Sequence, residues 1–187
     1  KSDINLGYGG NVKRAIEYAS LKNYEYIAIF PGDMQRSFSD LSEMIKIICN
    51  ESFDVVVGKK SKIINKQKMP ADRKAGNIFL SFMSKIWNDK TLDPLSGFKI
   101  YKISTCKSIF WLCQNRFGFD LDFSFWASIK DLKINSYDAT VTYEKHISSM
   151  PSTFYQGLTL VFRLFLLGFL LQPIIKILKK STKTINK

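Results

Sequence analysis

A single α/β domain on a mainly parallel sheet is the fold this sequence predicts, and three observations predict it. Helical and strand-like patterns alternate through the first third of the chain as helix, strand, loop, helix, strand. That is the rhythm of a parallel sheet flanked by helices. The first strand, Tyr26–Phe30 (YIAIF), is apolar throughout, as a strand covered on both faces should be. Finally, Asp33, Gln35, Lys59 and Lys60 all fall just past predicted strands, and such sheets bind ligands beyond the carboxyl ends of their strands.

Each element has its own signal. Val12, Ala15, Ile16 and Ala19 recur at helical spacing after a predicted turn, Gly7-Tyr8-Gly9-Gly10. Leu41, Met44, Ile45 and Ile48 mark a second amphipathic helix, with Ser39 or Asp40 as its cap. Phe53–Gly58 (FDVVVG) is the second strand, and Ser61–Met69 a polar link. Ala75, Ile78, Phe79, Phe82 and Ile86 give a third helix, with Arg73 near its start. Asp93-Pro94-Leu95-Ser96-Gly97 is a turn into a short strand, Phe98–Lys102. Ile103–Gln114 and Phe119–Leu132 read as helices, and Lys133–Tyr143 as a last extended segment. Trp87, Trp111 and Trp126 sit in helical patterns as core residues. The α/β domain occupies residues 1–150, a helical segment 151–180 and a basic tail 181–187.

At 187 residues, 45% of them hydrophobic and 14% aromatic, the chain can bury a real core and is not disordered. The net charge of +12 calls for an anionic partner: nucleic acid, phosphate-bearing substrate or acidic membrane surface. Nucleic acid is set aside, because no recognition motif interleaves aromatics on a basic sheet. Cys49, Cys106 and Cys113 form neither a C-x-x-C pair nor a zinc spacing, and read as small apolar residues in a reducing compartment. The single histidine, His146, excludes a His-rich metal site and reads as a surface residue.

From Gly157 to Leu178 the chain is mostly Leu, Phe and Ile, broken by Arg163, Gln172, Pro173 and Lys176. A spanning helix takes about 20 apolar residues with few charges, and this run only just qualifies. An interfacial or shallow re-entrant helix is the preferred expectation, since Lys176, Lys179, Lys180 and Lys183 suit anionic headgroups. A buried core helix is the alternative. Gln156, Thr159 and Arg163 would share one polar face, and Gln172, Lys176 and Lys179 another.

The stretch YIAIFPGDMQRSF holds the chemistry. Asp33 and Gln35 stand two positions apart past the strand. A carboxylate and an amide oxygen there can supply two ligands to Mg²⁺ or Mn²⁺, whose remaining ligands are commonly substrate phosphates. Lys59, Lys60, Arg73, Lys74 and Lys145 make the surroundings cationic. Metal and cations together suit a diphosphate leaving group or a phosphate acceptor. The same Asp-x-Gln pair also serves plain turn chemistry, and that reading stays open.

The order of the motifs adds to this. N-L-G-Y-G-G-N-V (Asn5–Val12), P-G-D-M-Q (Pro31–Gln35), V-V-V-G-K-K (Val55–Lys60), Arg73 with Asn77, D-P-L-S-G-F-K (Asp93–Lys99) and F-G-F-D-L-D (Phe117–Asp122) follow one another. The series resembles family 2 glycosyltransferases, in particular the polyprenyl- and dolichyl-phosphate sugar transferases, from about Asn5 to Ser149. The resemblance implies a GT-A fold, Rossmann-like and mainly parallel. It implies inverting, metal-dependent transfer from a nucleotide-sugar to a lipid phosphate at the cytoplasmic face of a membrane. Asp33 and Gln35 match metal-contacting positions of D-A-D-x-Q, with Pro31 and Gly32 replacing its first two. Lys59 or Lys60 stands where the family closes G-S-R. Arg73 and Asn77 match positions facing the acceptor phosphate, while Tyr143 and Lys145 lie where a basic residue follows the last core strand. Gly97 leaves room for the donor, and Asp120 and Asp122 match the paired acids, which could equally be helix-dipole acids.

Because such enzymes begin with a strand and an acidic turn that nothing before Asn5 supplies, the expected domain is N-terminally truncated. The Q-x-x-R-W run of processive polysaccharide synthases is absent from the sequence. A non-catalytic, membrane-associated module of the same fold is the competing expectation, favoured by Pro31 and Gly32 and opposed by Asp33, Gln35 and Arg73.

Overall fold

The computed structural model describes residues 5–33, 35–64, 93, 96–116, 118–142, 158–159, 161–163 and 165–175. The predicted third helix with Arg73, Asn77 and Trp87, and the predicted positions of Tyr143, Lys145 and His146, lie outside the described residues.

The chain runs α1 (Gly7–Leu21), β1 (Tyr26–Ile29), α2 (Phe38–Asn50), β2 (Val55–Ile64), β3 (Lys99–Lys102), α3 (Ile103–Phe110), α4 (Phe119–Ile129) and β4 (Ile134–Thr142). Its four strands lie in the order β1-β3-β2-β4. Strands β2 and β4 pair in parallel, with Lys59 opposite Asp138, while β3 runs antiparallel to both β1 and β2. The expected parallel sheet is therefore mixed. The reversal is held by a tertiary bond. The chain re-enters the sheet beside Gly58 of β2, where the buried Ser96 hydroxyl donates to the Gly58 carbonyl at 2.7 Å.

Strand alternation divides the core into two layers. Val55, Val57 and Tyr101 face α1, α3 and α4 and pack with Ile16, Phe110, Phe119 and Phe123. Val56 and Ile100 face α2 with Met44, Ile48 and Phe98. Stacked Phe110 and Phe123, with ring centroids 5.4 Å apart, and Tyr101 edge-on to both fill the first layer. Fully burying each such side chain stabilises the fold by about 2 kcal/mol.

Three local expectations change. Gly7–Gly10 is the first turn of α1 rather than a turn before it. Its glycines let the helix press onto the 114–115 backbone: Gly10 N–H donates to Asn115 O at 2.9 Å, and a Cβ on Gly9 would stand 2.3 Å from Gln114 O. The cap of α2 is Ser37, whose hydroxyl accepts from Ser39 N–H at 3.1 Å. Asp40 is instead buried and accepts from Thr140 N–H at 2.8 Å, tying α2 to β4. Trp111, expected in the core, is 58% exposed, because α3 ends at Phe110 rather than Gln114.

At the C-terminal end, Leu166–Leu171 form a π-helix between α-helical residues on either side. Among the described residues no helix is long and apolar enough to cross a membrane, so a full span over residues 157–178 is not supported. This segment packs Val161, Leu167 and Ile175 on Leu121 and Phe125 of α4. Gln172, expected to share a helical face with Lys176 and Lys179, is buried at 8% exposure.

Candidate functional site at the strand ends

Because β3 is reversed, its beginning lies at the carboxyl end of β1 and beside Val57 of β2. Strand β2 runs on to Ile64 against β4 alone, so Lys59 and Lys60 lie within the strand rather than past its end as expected. Ile29 and Val57 both stand opposite Lys99, and Gly58 N–H donates to Phe98 O at 2.9 Å. Asp33 and Gln35 follow β1, Gly97 precedes β3, and Lys60 leaves the three-stranded region along β2. Lys60 N–H lies 3.4 Å from Asp93 Oδ2. Topology thus brings Asp33, Gln35, Lys60 and Gly97 to one edge, together with Asp93.

The Asp33 loop is pinned at its base. Gln35 O accepts from Thr142 N–H at 3.1 Å, and the Arg36 guanidinium sits 5.5 Å from the Phe98 ring centre. Asp33 is exposed, and its Oδ1 accepts from Gln35 N–H at 3.1 Å. That bond is the turn chemistry foreseen for an Asp-x-Gln pair. It engages one carboxylate oxygen; Oδ2 has no donor among the described residues. Also among the described residues, no three His, Cys, Asp or Glu side chains converge on a metal position. The oxygen donors present fit a hard divalent ion held by one carboxylate, the Gln35 amide and substrate phosphates, not a cage made by protein alone.

The two lysines part company. Lys59 Nζ pairs with Asp138 Oδ1 at 2.7 Å across the β2–β4 ladder, where the Ser61 hydroxyl joins at 2.6 Å. Lys60 is exposed, and its ammonium has no partner among the described residues.

Asp120 and Asp122 are drawn inward. Lys99 Nζ meets Asp120 Oδ1 at 2.7 Å, with side chains 1% and 7% exposed. Burial raises the Asp120 carboxyl above its ordinary range although Lys99 pulls it down. Burial, then the charge of Asp120, raises the Tyr8 hydroxyl. Gly97 borders this group: a Cβ there would meet Tyr8 Oη at 3.4 Å. Asp122 has no exposed surface and accepts from Gln114 N–H at 2.8 Å and from Arg163. It lies under the C-terminal helix, away from the Asp33 loop's partners. Lys99, Tyr8 and Asp93 were not singled out as site residues. Lys99 closes the D-P-L-S-G-F-K motif, and that lysine, directly after an apolar Phe in a strand, was the available signal.

No family profile matches the chain. A protein of Methanocaldococcus jannaschii described only as uncharacterized is 24% identical over 164 residues, 86% of this chain and 68% of its own length. A UDP-N-acetylglucosamine–dolichyl-phosphate N-acetylglucosaminyltransferase of Methanococcus voltae is 29% identical over 109 residues, 57% of this chain and 43% of that protein. Among solved structures, glucosyl-3-phosphoglycerate synthase from Mycobacterium tuberculosis bound to UDP superposes with a TM-score of 0.60 at 11% identity, over 87% of this chain. The same synthase with Mn²⁺, UDP and glucosyl-3-phosphoglycerate gives 0.57 at 13% identity. The chain spans about half (55%) of that synthase. The shared feature is the fold, a mixed α/β sheet of the GT-A kind.

Proposed function

We propose that this chain is part of a sugar transferase that moves a hexose from a nucleotide-sugar to a polyprenyl or dolichyl phosphate at a membrane face. The observation that carries the reading is the convergence of Asp33, Gln35, Lys60 and Gly97 on one sheet edge, in a fold shared with a UDP-binding synthase. The acceptor is suggested by the dolichyl-phosphate transferase that matches the chain at 29% identity.

Asp33 and Gln35 would hold Mg²⁺ or Mn²⁺, which when bound offsets charge on the departing diphosphate. Lys60, Arg73 and Lys145 would supply cations, and Asn77 an amide donor, to donor and acceptor phosphates. Tyr143 would border the same pocket. No side-chain base is required of the protein. A phosphate monoester, with a second pKa of about 6, is already nucleophilic at neutral pH, so the residues' task is to position and to neutralise. Asp120 acts through Lys99 and Tyr8, holding the Gly97 turn in place rather than touching substrate.

A non-catalytic module of the same fold is the second reading. It is favoured by the Asx bond that already engages Asp33 and by the lack of a three-carboxylate cluster among the described residues. One experiment separates them. The protein is incubated with polyprenyl phosphate, Mg²⁺ or Mn²⁺ and a panel of radiolabelled nucleotide-sugars, and label entering organic solvent is counted. Metal-dependent label that disappears in Asp33→Ala supports the transferase and identifies the donor. No transfer from any donor, by protein that still binds lipid, establishes the module.

A further inference from the structure

We propose that the outward face of the C-terminal helix is a docking surface for an anionic lipid monolayer, lying in the plane of the headgroups. This deepens the reading above, since a lipid-linked acceptor sits in a bilayer, and it names the side chains that meet that bilayer.

The helix has two unlike faces. Inward, Val161, Leu167 and Ile175 pack on Leu121 and Phe125. Outward, Leu158, Phe162, Phe165, Phe169, Leu170 and Ile174 are each 48–62% exposed. The spacing 158, 162, 165, 169 places four of them on one helical stripe. The stacked Phe165 and Phe169 rings, 5.2 Å between centroids, lie in that stripe. The π-helical turn then presents Phe169, Leu170 and Leu171 in succession, all exposed, which broadens the apolar surface. So many large apolar side chains on one exposed helix face mark an interaction surface rather than ordinary scatter.

Charge decides what covers it. The only charged residue from Leu158 to Ile175, Arg163, turns inward to Asp122. The outward face therefore carries no charge of its own. Directly after it in sequence come Lys176, Lys179, Lys180, Lys183 and Lys187, with no acidic residue among positions 176–187. An uncharged Phe/Leu face followed in sequence by a segment whose only charged side chains are lysines matches an interface of acyl chains under anionic headgroups. A second copy of this chain brings the same net charge of +12. At +12 the chain repels such pairing and is drawn to an acidic surface.

The test uses vesicles alone, with neither donor nor acceptor, so failed docking and failed transfer are separate results. The protein is sedimented with phosphatidylcholine vesicles containing phosphatidylglycerol, and with phosphatidylcholine alone. Partition is expected to favour the anionic vesicles, to weaken as salt rises, and to fall about thirtyfold in Phe162→Ser/Phe169→Ser. Leu158→Ser/Ile174→Ser reads the same face if the first pair misfolds, and circular dichroism checks both. Unchanged partition in two folded double variants overturns the proposal. So does a concentration-dependent dimer that both variants dissolve while vesicle binding stays at background.

Discussion

Arg163 forks onto the fully buried carboxylate of Asp122, with Nη2 2.6 Å from Oδ2 and Nε on Oδ1. Two residues earlier in the same turn of α4, Asp120 takes Lys99 from the sheet. One helical turn therefore clamps the sheet on one side and the C-terminal helix on the other. Removing the cation leaves the Asp122 carboxylate, among the described residues, with only the Gln114 N–H. Arg163→Met is expected to cost about 3 kcal/mol, the low end for a broken buried pair, because the Arg163 side chain is 32% exposed and water can partly replace it. Arg163→Lys should recover less than half, since a lysine cannot form the two-pronged contact. Urea unfolding midpoints decide; a loss under about 0.5 kcal/mol for Arg163→Met would show that the clamp is not structural.

Asp120 gives a pH dependence whose sign is fixed. Burial raises its carboxyl above the ordinary value of 3.8 in the folded protein. The folded state thus keeps a proton that the unfolded chain has already released. Stability from this group is full below pH 3.8 and declines as pH rises through the raised value, by at most about 1.4 kcal/mol per pH unit. Unfolding free energies measured from pH 3.5 upward should show that decline superimposed on the other acids. Asp120→Asn should remove it, while lowering stability because Lys99, 1% exposed, loses its counter-charge.

How much of this was legible follows from where the information sits. The apolar run Tyr26–Phe30 and the helical stripes around Val12 and Met44 announced their elements, because burial of one face writes itself into spacing. The direction of β3 did not, since four residues, Lys99–Lys102, pattern alike whichever way they run. The reversal comes from tertiary bonds such as Ser96 to Gly58, which no local pattern encodes. At the site, Asp33 and Gly97 were visible as polar or flexible residues at strand ends. Lys99 was not, because a lysine in an apolar strand is explained only by Asp120, 21 residues away in sequence. Likewise spacing alone groups Arg163 and Gln172 on polar helical faces without saying which way they point, and both turn inward.

The glycines of α1 have the pattern of a turn, and the packing that overrules this is testable. In a helix interior Gly→Ala usually gains about 1 kcal/mol. At Gly9 the added Cβ would stand 2.3 Å from Gln114 O and 2.8 Å from the Phe119 Cβ. Forcing that backbone apart costs about 2–3 kcal/mol, so the clash wins and Gly9→Ala should lower the melting temperature. Gly32→Ala, with nothing within 4 Å of its Cβ, is the control expected to leave it unchanged. A stabilised Gly9→Ala protein would mean that α1 does not press on the 114–115 segment.

Thiol reactivity should separate the cysteines. Cys49 is exposed, whereas Cys106 and Cys113 are buried. Burial pushes the Cys106 thiol up to about 12 and raises Cys113 too, so neither forms a thiolate at pH 8. Iodoacetamide on the native protein should alkylate Cys49 alone within minutes, and all three residues once urea is added, as read by peptide mass spectrometry. Rapid modification of Cys113 in the native state would show that the α3–α4 layer opens.

The sequence leaves open whether Lys59 or Lys60 is the phosphate-binding lysine, and the structure gives the two different work. Lys59 is engaged with Asp138 on the ladder, a partly exposed pair whose loss costs about 0.5 kcal/mol. The Lys60 ammonium has no partner among the described residues, and its backbone N–H lies beside Asp93 where β2 runs on past β3. If the strand-end edge binds the donor diphosphate, Lys60→Ala removes an attraction present in both the bound donor and the transition state. It should then raise KM for the nucleotide-sugar about tenfold, with little change in kcat and no change in unfolding midpoint. Lys59→Ala should do the reverse, shifting the midpoint slightly and leaving KM within twofold. Because both variants delete one positive charge, any general electrostatic effect on the donor is common to them. A difference in KM between the two therefore reports position alone, and equal values would remove Lys60 from the site.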